Sequence, residues 1–169
     1  MCWNKEVSIF TFGIISVVSY KLFKRNLGND RLLAFFILSY GTMQLFESII
    51  WLGIDLNLSM LNKIGSILAS LLLYLHPLAL VIGMRYDKFY KKYVNNIYYK
   101  ILFGISVLVL LLGIYNVSYH LLSVNRKHTF ISYPHDVNCH LVWDFPENYT
   151  LVVIIALFIS LFILKENKI

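Results

Sequence analysis

Glu47 and His76 are the two ionisable side chains set well inside long apolar runs of this 169-residue chain. Glu47 interrupts the run 32–54 within YGTMQLFESIIWLG. His76, followed by Pro77, interrupts the run 64–84 within SILASLLLYLHPLALVIGM. At about 1.5 Å per residue, either run crosses a hydrocarbon core of about 30 Å as a helix. A carboxyl or an imidazole at that depth is costly unless it faces the protein interior and finds a partner. Such groups can exchange protons, hold a hydrogen-bonding ligand or ligate a metal. Glu47 stands about six residues, or roughly 9 Å, inside the edge of its run, and His76 lies nearer the middle. A direct pair therefore requires tilt, water or a kink, and Pro77 offers the kink by freeing a carbonyl one turn back.

The surroundings of these two residues are polar in a helical rhythm. At 100° per residue Tyr40, Gln44, Glu47 and Trp51 fall within a sector of about 60°, with Ser48 at its edge. On the next run Ser66, Ser70 and Tyr74 recur every four residues beside His76. Two readings stand side by side. One is an interhelical hydrogen-bonded seam, as polar side chains often make in membranes. The other is an intramembrane polar site of Tyr40, Gln44, Glu47, Ser70 and His76, facing the bundle interior and lining one cavity.

The elements that must position these residues are membrane helices. Hydrophobic residues make up 59% of the chain and the mean hydropathy is +0.68, which excludes an ordinary soluble domain. The expected fold is all-α: one polytopic transmembrane bundle, residues 1–169, with five spans at about 7–23, 32–54, 64–84, 98–117 and 149–165. An outer loop is expected over 116–148. The first span reads as an uncleaved helix rather than a signal peptide, because its basic cluster follows the apolar run. Eleven of the fifteen Lys and Arg residues fall on one side of this arrangement: Lys21, Lys24, Arg25, Arg31, Arg85, Lys88, Lys91, Lys92, Lys100, Lys165 and Lys168. The positive-inside rule then places the N-terminus outside and the C-terminus inside. The net charge of +6 reads as topology signal and contact with anionic headgroups of the lipid bilayer. Nucleic acid is not an expected partner, since no basic-aromatic platform stands on a soluble domain. Oligomerisation is left open.

Several residues gather at the expected outer face. Trp3, Trp51 and Trp143 suit an aromatic belt, and Trp3, His140 and Trp143 form an expected cap. Cys2 and Cys139, the only cysteines, are expected to form a disulfide, with chance co-location as the alternative. Three sequons start at Asn57, Asn116 and Asn148, all close to a membrane surface. His120, His128, His135, His140 and Cys139 invite a zinc reading. However, Cys139 and His140 are adjacent and no H-x3-H or C-x2-C spacing occurs, so no metal site is assigned. Catalytic signatures such as G-x-S-x-G or H-E-x-x-H are missing, and no cofactor is indicated. The expected function is a non-enzymatic bundle that binds or transports a small molecule, ion or lipid, or scaffolds a membrane assembly. The alternative is a membrane-embedded, hydrolase-like enzyme using Glu47, His76 and His140, with metal or acid/base chemistry.

The Met1-Cys2-Trp3 start, the Gln44/Glu47 helix, Leu75-His76-Pro77 and Cys139-His140-Leu141-x-Trp143 together resemble a family of small multi-pass membrane proteins of giant viruses and bacteria, a domain of unknown function. Around Gln44 and Glu47 the order of the amide and the acid is reversed relative to the bacterial pattern. The resemblance implies that the N-terminal Cys-Trp and the His-Trp loop belong to one recurring design. A virion membrane or an endomembrane is the location it suits. Shortness of several spans also points to a thin, endoplasmic-reticulum-like bilayer.

Overall fold

The computed structural model describes residues 4–123, 129–134, 141–142 and 154. Four helices dominate: α1 Lys5–Arg25, α2 Asp30–Asp55, α3 Ser59–Tyr86 and α4 Ile97–Leu122. All four are long and apolar enough to cross a membrane. A 3-10 turn, Tyr90–Tyr93, separates α3 from α4. Past α4, Tyr133–Pro134 pairs antiparallel with Leu141–Val142 in a two-residue ribbon. The expected fifth span at 149–165 falls outside the described residues, apart from Ile154. So do Cys2, Cys139, Trp3, His140 and Trp143, and with them the disulfide and the outer cap.

Each helix overruns the apolar run that announces it, and at the starts of α1 and α4 a polar side chain caps the helix instead of stopping it. The Asn4 side chain accepts from Val7 N at 2.9 Å, and Asn96 accepts from Tyr98 N at 3.1 Å. Asn26, in the left-handed conformation at φ 51°, closes α1. One boundary needs correcting: the loop expected from residue 116 begins after Leu122. Asn116 and Val117 are buried in α4, and Asn116 Nδ2 donates to the Tyr74 hydroxyl at 3.4 Å. A buried, bonded amide on a helix is no acceptor for a glycan, so the sequon at Asn116 is a chance match.

The chain folds up and down, with α2 packed on both α1 and α3, and α4 packed on α3. Small residues let the backbones approach, as in other membrane bundles. A Cβ on Gly53 would stand 2.5 Å from Asn62 N, and one on Gly65 would stand 2.7 Å from Ile50 Cγ1. The α1–α2 turn is clamped by Arg25, whose guanidinium donates twice to Asp30 at 2.7 Å, while Leu27 N donates to the same carboxylate at 2.8 Å. At the opposite end Lys5 pairs with Asp55.

The basic end has its own core: Leu32, Leu80, Val81, Met84, Tyr90, Tyr99 and Leu102. Asp87, fully buried, is the knot beneath it. Its carboxylate accepts from Leu32 N in the first turn of α2 at 3.2 Å, and from Phe89 N at 2.9 Å and Tyr90 N at 3.2 Å. Amides that would otherwise be orphaned at a helix start are thereby satisfied.

Candidate functional site

Four contacts fix how α2 and α3 slide past each other. Gly53 meets Asn62, Gly65 meets Ile50, Gly83 meets Phe35 and Leu32, and the Tyr40 ring meets the His76 ring. On this register Glu47 stands level with about residue 68 of α3. That is roughly 12 Å along the axis from His76. The two ionisable groups therefore occupy different storeys of the bundle. Tyr40 shares a storey with His76, and Gln44, Glu47 and Ser70 share the one above.

His76 is 2% exposed and lies in the α2–α3 seam. Its Nδ1 stands 2.5 Å from Leu72 O, a carbonyl that can only accept, so Nδ1 carries a proton. In the neutral ring Nε2 is then an acceptor, and it has no partner among the described residues. The Tyr40 ring covers the imidazole edge-on at 4.2 Å between centroids. α3 runs unbroken through Pro77, which is itself buried.

One storey up, Gln44 stands one turn before Glu47 on the same face of α2. Among the described residues Gln44 Oε1 is buried without a partner, as is Trp51 Nε1 one turn beyond Glu47. Ser70 is 1% exposed and its hydroxyl likewise has no partner among the described residues. Its condition, shared by Ser8 and Ser19 on α1, differs from that of five other hydroxyls on these helices. Ser16, Ser39, Thr42, Ser48 and Ser106 all return their protons to a carbonyl three or four residues back. Ser48, at the edge of the stripe, is thus satisfied within its own helix and drops out of the site.

The α2–α3 pair has two unlike flanks. Tyr40, Gln44, Glu47 and Trp51 lie on one flank of α2, and Ser66 and Ser70 turn toward the same side on α3. On the opposite flank Phe35, Leu38 and Thr42 open into an apolar groove of about 410 Å³. Neither Glu47 nor His76 lines that groove. Tyr40 is 44% exposed and Glu47 is half-buried, whereas His76 and Ser70 are fully inside.

A polar lock closes the end of the bundle above Ser70. Asn62 Nδ2 donates to Ser132 O at 2.7 Å and its Oδ1 accepts from Ser132 N at 2.9 Å, the pattern a neighbouring strand would offer. Ser66 Oγ and Ser132 Oγ lie 2.8 Å apart. Beside them Phe130 is 1% exposed despite a φ of 55°, a conformation that costs a side-chain-bearing residue about 1–3 kcal/mol. The sequence reading missed Asn62. It extends the Ser66–Ser70–Tyr74 row by one turn, but it stands in DLNLSMLNK, which reads as loop. Ser132 carried no signal at all. Among the described residues no group of three His, Cys, Asp or Glu side chains comes together to hold a metal.

Comparison with protein-family models, with curated proteins and with solved structures yields no match. The class that sequence and fold define is an all-α integral membrane protein, with four helices able to cross a bilayer among the described residues.

Proposed function

We propose that this chain is a non-enzymatic membrane bundle that holds a small cationic or hydrogen-bond-donating ligand on the polar flank of α2 and α3. The observation that carries the reading is the concentration there of buried polar atoms that have no partner among the described residues: Gln44 Oε1, Trp51 Nε1, Ser70 Oγ and His76 Nε2. Leaving such atoms unpaired costs about 1–3 kcal/mol each, so a fold that keeps several on one flank has a use for them. Two of the four, Gln44 Oε1 and His76 Nε2, can only accept, and the half-buried Glu47 carboxyl adds acceptor capacity when ionised. The complementary guest is a donor, such as a small protonated amine or a short water chain leading a proton. Its span is about 9 Å, the rise from His76 to Ser70. Five spans, an outward N-terminus and kinship with the viral and bacterial family of the Leu75-His76-Pro77 motif belong to the same proposal.

Native mass spectrometry of the protein, released gently from membranes, tests it. The expected result is a stoichiometric small adduct that Glu47→Gln weakens and Ser70→Ala with His76→Phe removes. An unadducted wild-type mass, unchanged on adding small amines such as ethylamine or putrescine, would defeat the proposal.

A further inference from the structure

We infer that the flank opposite Glu47 seats one anionic diacyl glycerophospholipid, headgroup at the basic end of the bundle. The inference is independent of the polar-flank reading. Two apolar grooves run side by side there. One, of about 410 Å³, lies among α2, α3 and α4. The other, of about 300 Å³, lies between α1 and α2. They share Phe35 and Leu38, which form the ridge between them. The longer groove reaches from Leu68 to Ala79 on α3, roughly 16 Å. Its two hydroxyls, Ser39 and Thr42, are spent on Phe36 O and Leu38 O, so the wall offers an acyl chain nothing polar to desolvate. Two channels divided by one ridge match two chains joined at one glycerol.

The basic mouth of both grooves is built around Arg31, which precedes Phe35 by one turn on the same face of α2. Its Nε donates to Phe23 O and its Nη1 to Tyr86 O, each at 3.2 Å, and its guanidinium lies over the Phe23 ring at 4.7 Å. Phe23 lines the smaller groove, and Tyr86 stacks on the ridge residue Phe35. A guanidinium has five N–H donors, and two of these are used. The rest form a fixed fork of the kind that takes a phosphate in two bonds. Lys24, Arg25, Arg85 and Lys88 share this end, against the carboxylates of Asp30 and Asp87. Asp30 is already occupied by Arg25, and Asp87 by three backbone amides. Ser19, one turn before Phe23, supplies the remaining feature. It is 3% exposed, lines the smaller groove, and its hydroxyl has no partner among the described residues. It stands where the ester carbonyl of a phospholipid would lie, between phosphate and chains.

The test is native mass spectrometry of delipidated protein offered phosphatidylglycerol, phosphatidylcholine or glycerol 3-phosphate. The wild type is expected to retain phosphatidylglycerol about tenfold over phosphatidylcholine and to ignore glycerol 3-phosphate, which lacks chains. Arg31→Gln should erase the preference for the anionic lipid. Ala79→Trp, which fills the longer groove without touching the mouth, should lower retention of both lipids. Ser19→Ala should lower retention of phosphatidylglycerol, and it decides the headgroup's position should Arg31→Gln fail to fold. Equal retention of the two lipids by the wild type, a preference that survives Arg31→Gln, or unchanged retention in Ser19→Ala would each overturn the inference.

Discussion

The His76 imidazole and the Tyr40 ring meet at right angles with 4.2 Å between centroids, while the imidazole Nδ1 is held by Leu72 O. One ring nitrogen is therefore committed to the helix and the ring plane is fixed by an aromatic neighbour. Only Nε2 is left to act. His76→Phe should keep the Tyr40 contact and the packing, and its thermal midpoint should equal or exceed that of the wild type. His76→Ala should instead open a cavity and cost about 2–4 kcal/mol, a fall readable in thermal or denaturant unfolding in detergent.

Ser70→Ala should stabilise the ligand-free protein by about 1 kcal/mol, because it deletes a buried hydroxyl that bonds to nothing among the described residues. A seam residue would behave in the opposite way, since its loss would orphan a partner. Scanning fluorimetry of the two proteins, side by side without ligand, reads the sign. A lower melting temperature for Ser70→Ala would assign Ser70 to the seam.

Asp87→Ala should be among the most damaging single changes at the basic end. It removes the acceptor of three backbone amides, at about 1–3 kcal/mol for each one that stays buried. Asp87→Asn keeps one acceptor oxygen and should fall between the two. Loss of native monomer on size-exclusion chromatography, ranked wild type, Asn, Ala, is the expected order.

Tyr90 sits on the same knot, outside the spans. Burial foremost, and then Asp87 and Tyr93 nearby, raise its phenol above the ordinary value of 10.0. Below pH 10 the phenol is neutral in folded and unfolded chains alike, and the stability it contributes is fully present. As the pH climbs through 10 the unfolded chain ionises first, so that stability is lost. Tyr90→Phe should flatten this alkaline limb in unfolding curves recorded from pH 8 to 11.

Asn62→Ala should free the segment 129–134 from the bundle, since both strand-like bonds to Ser132 go through that one amide. Phe130 would then relax from its φ of 55°. Hydrogen exchange of amides 130–133 should accelerate by at least about tenfold, with α2 and α3 unchanged. Unaltered protection would show that the segment is held by other means.

How much of this was legible depended on whether a residue's role is local. The four helices were readable because each needs only a long apolar run, and their ends were misjudged where polar residues such as Asn116 are buried by a neighbour. The storeys of Glu47 and His76 could be placed approximately from their depths in the two runs. That His76 would meet Tyr40 could not, because register is set by Gly53, Gly65 and Gly83 pressed against particular partners. Asn62 and Ser132 are 70 residues apart, and no period links them. Arg31 counted only as a topology charge until its two carbonyl partners fixed its fork.

The central claim is that the polar flank around Gln44, Glu47, Ser70 and His76 is an occupied site. A high-resolution density map of the protein in lipid nanodiscs tests it most directly. The account predicts non-protein density within hydrogen-bonding distance of Ser70 Oγ and His76 Nε2, on the flank that carries Glu47. A Glu47 carboxylate turned into lipid, with no density beside Ser70 or His76, would contradict it.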